Sequence, residues 1–159
     1  MHKGHLTILR HLAAAGFAEV RMVVSPESPF KKGSDDTADR RLAAVRKKVA
    51  RLIPEVTVSD VEFGLPKPNY TINTLRALQQ AEPDTDFVIA MGADNFADIE
   101  RWREWESIVN DFEIWVYPRT GYDVRELCAR HGAHLMNTPL VDISSTEIRE
   151  GRADKDLMI

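Results

Sequence analysis

The sequence predicts an α/β fold in which helices cover a doubly wound parallel sheet. Short apolar runs alternate with segments whose hydrophobic residues recur every three or four positions, a pattern typical of β-α-β units. The run "DFVIAMG" (86–92) is almost continuously apolar, as expected for a central strand with helices on both faces. At 159 residues the chain has the length of one domain with a substantial core. We therefore expect a single domain over residues 1–159.

The first half of the chain alternates helix and strand patterns. Leucines at helical spacing predict a helix after Gly4, and Gly16 is placed to end it. Turn and breaker residues predict a loop over 26–36. The remaining expected elements are a strand over 19–25, an amphipathic helix over 42–52 and a strand over 55–63.

The second half repeats this alternation. Ile72 opens an apolar helical face that predicts a helix over 72–80. The expected elements that follow are a strand over 86–92, a short helix in "ADNFADI", a helix in "WESIVNDF", a strand over 113–118, a helix over 123–130, a short strand in "AHLMN" and a helix from Ser144.

The composition favours a small ligand over a polyanion. Twenty-one basic and 25 acidic residues give a net charge of -4, which argues against general nucleic-acid binding and against attachment to an anionic membrane. The one cysteine, Cys128, cannot form a disulfide within this chain. No apolar run approaches the length of a membrane span and no signal peptide is recognisable, so we expect a cytoplasmic protein.

A hydroxyl-rich helix start lies near the end of the sequence, in "DISSTEIREG". Ser144 and Glu147 have the spacing of a capping box, so a well-capped helix is one interpretation. This helix start also presents free backbone N–H groups beside Ser144, Ser145 and Thr146, with Arg149 one turn on, and such a terminus attracts anions. On these residues alone both interpretations stay open.

The opening "MHKGHL" places two histidines three residues apart around a glycine. On one side of a helix's first turn, His2 and His5 could both donate hydrogen bonds to phosphate oxygens. A pair of solvent-exposed histidines near a terminus is the alternative. The presence of "ISSTEIR" in the same chain favours phosphate binding.

These motifs resemble those of nucleotidyltransferases that share an H-x-G-H turn and a late Ser/Thr-rich helix start. Among these, the chain looks most similar to the bacterial nicotinate mononucleotide adenylyltransferases. The pieces that carry the resemblance cover nearly the whole chain: "HKGHL", "SPFKK", "NYTINTL", "GADNF", "RWREWESI", "YPRTGY" and "DISSTEIR". The resemblance implies a Rossmann-like sheet of the nucleotidyltransferase type. It also implies transfer of AMP from ATP to nicotinate mononucleotide in NAD biosynthesis, giving nicotinate adenine dinucleotide and pyrophosphate.

The resemblance assigns most candidate site residues to ATP. It implies that His2, His5 and Arg149 are catalytic, in a reaction dominated by positioning and electrostatics because the attacking phosphate is already an anion. Asp94 would bind the adenylate ribose, although it could instead cap the following helix. Mg²⁺ is expected to bridge ATP oxygens with few protein ligands. The implied ATP-binding set is His2, His5, Gly92, Asp94, Ser144, Ser145, Thr146 and Arg149.

A second set is implied for nicotinate mononucleotide. Trp102 would stack on the pyridine ring, whereas Trp105, three residues on and on the same face if the segment is helical, is expected to pack in the core. Thr71 would recognise the nicotinate end, although it is also placed to N-cap the following helix. Lys32 and Arg119 are the candidates for the mononucleotide phosphate.

The resemblance also implies a strand and a glycine-rich turn, of the form G-x-F-x-P, immediately before H-x-G-H. The 159 residues start at that motif and stop at "RADKDLMI", before the final helix that the family pattern implies. We therefore expect a nucleotidyltransferase domain that lacks the usual first strand and is incomplete at both ends. If this is the full chain, we expect weak or absent catalysis and poor stability.

Two other functions fit the same motifs. A related nucleotidyltransferase with a phosphopantetheine or cytidylyl substrate shares the H-x-G-H turn, although "GADNF" and "RWREW" favour a pyridine nucleotide. A catalytically impaired nucleotide-binding remnant would fit a missing first strand. A class I aminoacyl-tRNA synthetase fragment is disfavoured by the acidic charge and by the absence of a K-M-S-K-S-like loop.

Overall fold

A computed structural model of the chain describes residues 3–27 and 35–138. Its helices are α1 (Lys3–Ala14), α2 (Asp35–Leu52), α3 (Thr71–Ala81), α4 (Ala93–Ala97), α5 (Trp105–Asp111) and α6 (Arg125–His131). Its strands are β1 (Val20–Val23), β2 (Val56–Ser59), β3 (Val88–Gly92), β4 (Glu113–Tyr117) and β5 (His134–Leu135). Short 3₁₀ helices span Val61–Gly64 and Ile99–Arg101. The predicted alternation of helices and strands is confirmed, and the helix expected from Ser144 lies outside the described residues.

Most predicted boundaries differ from the structure by a few residues, and three of the differences have a clear physical reason. Helix α1 already includes Gly4, which is buried inside it, and Gly16 follows in the left-handed conformation at a φ of +91°. Helix α2 begins at Asp35, inside the predicted loop, since acidic residues are favourable in the first turn of a helix as well as in loops. Strand β2 ends at Ser59 because the chain turns into a 3₁₀ helix.

All the described strands pair in parallel, as the sequence predicts, but they form two separate sheets. β1 pairs with β2, and β4 lies between β3 and β5. Among the described residues no strand hydrogen-bonds to both β1 and β3. The predicted doubly wound sheet is therefore seen as two parallel sheets.

The described residues divide into two compact units. The first extends to Asn69, and the second begins at Tyr70. In the first unit α1 and α2 pack on the β1–β2 sheet, and Val49 is 1% exposed in the cluster they form. The cluster's buried members are Leu6, Leu9, Val49, Ile53 and Val56.

The second unit has the larger buried cluster. Its central members are essentially inaccessible to solvent, because α3, α4, α5 and α6 pack around the β3–β4–β5 sheet. Residues with no exposed surface are Ala93, Phe96, Ile99, Ile108 and Val116. This cluster fixes the ends of β3 and β4, where the candidate site lies.

Across residues 3–27 and 35–138, no helix combines the length and the apolar character that a membrane span needs.

Ile108→Ala should lower the free energy of unfolding by about 3 kcal/mol, because it removes a fully buried side chain and leaves a cavity. Urea unfolding followed by circular dichroism measures this loss. Tyr122→Ala is the control, since Tyr122 is half-exposed and its substitution should change stability by less than about 0.5 kcal/mol. Equal losses in the two variants would contradict the core described above.

Candidate active site

The carboxyl end of β3 turns directly into helix α4. Gly92 is both the last residue of β3 and the N-terminal cap of α4, and no side chain caps this helix. Ala93 and Phe96 are completely buried, so α4 is anchored on the core. Asp94, in the first turn, is half-buried, and its negative charge is favourable near a helix N-terminus. The capping interpretation of Asp94 is therefore wrong, because the cap position belongs to Gly92.

Gly92 is needed for space and not for an unusual backbone conformation. Its φ is -74°, which any residue can adopt. A Cβ at this position would collide with Oδ1 of Asp94 and would lie 3.0 Å from Cε2 of Tyr117. Gly92 and Tyr117 are register partners in the parallel β3–β4 pair, so the tyrosine ring lies beside the turn. The absence of a side chain at Gly92 thus allows the Asp94 carboxylate and the Tyr117 ring to approach each other.

Arg119 reaches the same place from the end of β4. Its Nε lies 3.6 Å from Oδ1 of Asp94, and its guanidinium lies 5.7 Å from the centroid of the Tyr117 ring. A turn with Gly121 at a φ of +84° pairs Arg119 with Tyr122 in an isolated antiparallel bridge. The carboxyl ends of neighbouring parallel strands therefore bring Gly92, Asp94 and Arg119 together, at the kind of sheet edge where α/β proteins bind ligands.

The contact between Asp94 and Arg119 is close but incomplete. Oδ1 of Asp94 and Nε of Arg119 are both buried, and neither has a hydrogen-bond partner. Their separation is too long for a hydrogen bond. Buried polar atoms without partners are rare in folded proteins and are costly. The pair therefore leaves one acceptor and one donor without a hydrogen bond at this end of the sheet.

Tyr117 responds to both charged neighbours. Burial raises the pKa of its phenol above the usual value, the Arg119 guanidinium opposes this rise through its charge and a hydrogen bond, and the Asp94 carboxylate adds to it. Sequence reasoning missed this tyrosine. Its position at the end of a strand that neighbours "GAD" was the signal that could have identified it.

Thr71 and Trp102 belong to the same unit as this turn. Thr71 is the first residue of α3, and the N-cap position is Tyr70, so the N-cap interpretation of Thr71 is wrong. Trp102 is half-buried against the larger core cluster, as is Tyr70. Trp102 caps the end of a 3₁₀ helix with an extended backbone (φ -76°, ψ 149°), while Trp105 begins α5.

The two tryptophans therefore do not share one helical face, because the chain changes direction between them. The indole ring of Trp105 lies 5.3 Å from the His131 ring in an edge-to-face contact. This packing agrees with the structural role predicted for Trp105.

The remaining candidate residues are in the first unit or outside the described residues. His5 lies in the first turn of α1 and is half-buried. The candidates outside the described residues are His2, Lys32, Ser144, Ser145, Thr146 and Arg149.

Comparisons with known proteins place the chain in a family. The model of the cytidylyltransferase-like family matches residues 1–151. The chain belongs to the cytidylyltransferase-like family. Two relatives are the proteins named "Probable nicotinate-nucleotide adenylyltransferase" of Flavobacterium psychrophilum and of Bacteroides fragilis. The first is 37% identical, with 98% of this chain and 82% of the relative covered; the second is 38% identical, with 96% and 77% covered.

A solved structure supports the fold of this cytidylyltransferase-like chain. Plasmodium falciparum nicotinic acid mononucleotide adenylyltransferase, complexed with NaAD, superposes with a TM-score of 0.72 at 16% identity. The alignment covers 94% of this chain and 77% of that one. The predicted nucleotidyltransferase type of α/β fold is confirmed.

Substitutions beside Tyr117 should move the pKa of its phenol in opposite directions. Arg119→Gln should raise it further, because the stabilising charge and hydrogen bond are lost, and Asp94→Asn should lower it, because a repelling carboxylate is removed. Ultraviolet difference titration measures tyrosine ionisation, and Tyr70→Phe and Tyr122→Phe in the background isolate the Tyr117 signal. Shifts of the same sign in both variants would contradict the geometry.

Proposed function

We propose that this chain transfers AMP from ATP to nicotinate mononucleotide, giving nicotinate adenine dinucleotide and pyrophosphate in NAD biosynthesis. A phosphate oxygen of the mononucleotide attacks the α-phosphorus of ATP, a new P–O bond forms, and the bond to the leaving pyrophosphate breaks. The observation that carries the proposal is the Gly92–Asp94 turn beside Arg119 in a chain 37–38% identical to relatives with this activity in their names.

The incomplete pair of Asp94 and Arg119 supports two binding roles. Oδ1 of Asp94 lacks a donor, which a ribose hydroxyl of the adenylate would supply. Nε of Arg119 lacks an acceptor, which the mononucleotide phosphate would supply with a charge-assisted bond. A bound substrate would thus satisfy atoms that the free protein leaves unpaired. Gly92 contributes by leaving the space in which these groups meet.

The catalytic and triphosphate-binding roles rest on the sequence motifs. We propose that His2 and His5 bind the phosphates of ATP. The same phosphates would be bound by the helix start with Ser144, Ser145, Thr146 and Arg149. His2, His5 and Arg149 would stabilise the charge that develops as pyrophosphate leaves.

Nucleotidyltransferases of this kind generally use a divalent metal ion with ATP. Among residues 3–27 and 35–138, no three His, Cys, Asp or Glu side chains are grouped so that they could hold such an ion. We propose Mg²⁺, bound chiefly through ATP oxygens and water, since Mg²⁺ is often held by one or two carboxylates together with substrate phosphates.

The nicotinate end is assigned to the second unit. We propose that Trp102 stacks on the pyridine ring and that Thr71, at the start of α3, contacts the nicotinate group. Lys32 and Arg119 would bind the mononucleotide phosphate. These assignments leave Trp105 to packing, in agreement with its contact with His131.

We also propose that both compact units belong to one domain spanning residues 1–159, because one family model matches residues 1–151. Both proposed substrates are charged nucleotides, which favours a cytoplasmic location.

A substrate panel tests the activity. Pyrophosphate release by the purified chain is measured with ATP or CTP, paired with nicotinate mononucleotide, its amide analogue or phosphopantetheine. Turnover is expected with ATP and nicotinate mononucleotide, and turnover with CTP or phosphopantetheine alone would refute the proposal. Calorimetry with the same ligands tests the alternative function, since a catalytically impaired protein would bind both substrates without releasing pyrophosphate.

Trp102→Leu should raise the KM for nicotinate mononucleotide roughly tenfold, because stacking on an aromatic side chain is worth ~1–3 kcal/mol per base. The KM for ATP should stay the same. Trp105→Leu is the control and should lower thermal stability with little change in either KM, since its ring packs on His131. A larger change in the mononucleotide KM for Trp105→Leu than for Trp102→Leu would contradict the proposal and would indicate Trp105 as the stacking residue.

A further inference from the structure

The turn that carries Trp102 has an unusual backbone. Residues 102–104 connect the Ile99–Arg101 3₁₀ helix to α5, and Glu104 at the start of α5 has a φ of 49° and a ψ of 39°. This left-handed conformation is unfavourable for residues with a Cβ, and glycine adopts it without strain. Glu104 is the one non-glycine residue with a positive φ in the part of the chain that the structure describes. Contacts with the rest of the protein must therefore offset the unfavourable backbone conformation of this turn.

Two neighbouring residues of the turn are attached to α3. The Glu104 carboxylate accepts two hydrogen bonds from the Arg76 guanidinium, Nη1 to Oε2 at 2.9 Å and Nη2 to Oε1 at 2.8 Å. This fork-to-fork geometry fixes direction as well as distance. The Arg103 guanidinium lies over the ring of Tyr70, 4.8 Å from its centroid. We name these two contacts together the α3 clamp.

The α3 clamp joins the two elements that carry the proposed nicotinate-binding residues. Tyr70 caps α3 immediately before Thr71, and Arg103 follows Trp102 directly. Backbone hydrogen bonds extend the attachment: Trp102 N–H donates to the Ile99 carbonyl, and Trp105 N–H donates to the Trp102 carbonyl. A change in the turn at Glu104 would therefore move the Trp102 ring relative to the start of α3.

We infer that Arg76, through Glu104, is a positioning residue for the mononucleotide: the α3 clamp holds the strained turn so that Trp102 faces the substrate at a fixed place relative to Thr71. This inference rests on the proposed function, since it takes the mononucleotide as the ligand of Trp102. Arg76 does not touch the substrate in this account.

The exposure of the ion pair separates positioning from general stabilisation. The Arg76 and Glu104 side chains are 53% and 44% exposed, and pairs of this kind contribute little to global stability. The unfavourable backbone at Glu104 nevertheless gives the turn a reason to relax once the pair is broken. Loss of the clamp should therefore affect one substrate's binding far more than it affects the fold.

The first test compares binding of the two substrates. Arg76→Gln should weaken the binding of nicotinate mononucleotide roughly tenfold, as measured by calorimetry, because small misplacements of binding groups have large effects. ATP affinity and thermal stability should stay close to those of the parent chain. The charge exchange Arg76→Glu with Glu104→Arg should restore most of the lost affinity. Arg125→Gln, which breaks the exposed Arg125–Asp123 pair of the same unit, is the matched control and should change nothing.

A second comparison isolates the backbone. Glu104→Ala and Glu104→Gly both remove the carboxylate, but only glycine tolerates the left-handed conformation without cost. Glu104→Gly should therefore retain more mononucleotide affinity than Glu104→Ala. Equal losses of mononucleotide affinity in Glu104→Gly and Glu104→Ala would overturn the inference. So would an Arg76→Gln variant whose affinities for ATP and for the mononucleotide fall equally.

Amide hydrogen exchange gives a readout that needs no ligand. Exchange over residues 102–108 should accelerate in Arg76→Gln and return towards the parent rate in the charge exchange, and unchanged exchange would overturn the inference. If the parent chain fails to bind nicotinate mononucleotide, the proposed function is refuted. If the parent chain binds it and the Arg76→Gln variant binds it equally well, only the positioning role of the α3 clamp is refuted.

Discussion

The close approach of three chain segments at Gly92 is the constraint on which the described part of the candidate site depends. Strand β3 must end where its parallel neighbour β4 places Tyr117, and helix α4 must begin at once so that Asp94 faces the same space. A methyl group at Gly92 would collide with Oδ1 of Asp94 and would lie in tight contact with the Tyr117 ring. The buried residues of α4 and β4 keep the three segments together, since Ala93, Phe96 and Val116 have no exposed surface. Core packing thus provides the precision of the turn.

The same packing holds Asp94 and Arg119 near each other without satisfying them. Oppositely charged side chains that are free to move would close the 3.6 Å gap into a hydrogen bond, but these two are held by different strand ends. The cost of their unpaired atoms is offset by the core around them. If the proposed function is correct, groups held in place in this way lose little conformational entropy when the substrate binds.

Sequence patterns predicted the parts of this molecule that depend on local chemistry. The strand predicted over 86–92 is observed over 88–92, and it follows, with its last residue Gly92 and the helix after it, from hydrophobic periodicity and from the "GADNF" motif. The contact of Arg119 with Asp94 could not be predicted, because these residues are 25 positions apart and meet through a strand register. The placement of Trp102 and Trp105 on one helical face failed for a related reason. A left-handed residue interrupts the helix between them, and glutamate at that position gives no local signal of it.

The two ends of the second unit's candidate site are therefore held by different forces. Around Gly92 the groups are fixed by buried side chains, whose contribution hardly varies with pH. Around Trp102 the turn is held by polar contacts at the surface. The hydrogen bonds from Arg76 lower the pKa of the Glu104 carboxyl, so the folded protein keeps this group charged to more acidic pH than the unfolded chain does. The contribution of the pair is present above the carboxyl's ordinary pKa and is lost as the pH falls through the lowered one. Across the neutral range the Arg76–Glu104 contact is thus independent of pH, and its small contribution to global stability comes from solvent exposure and not from titration. The turn at Gly92 therefore depends on core packing, whereas the turn at Trp102 also depends on a surface ion pair that salt screens.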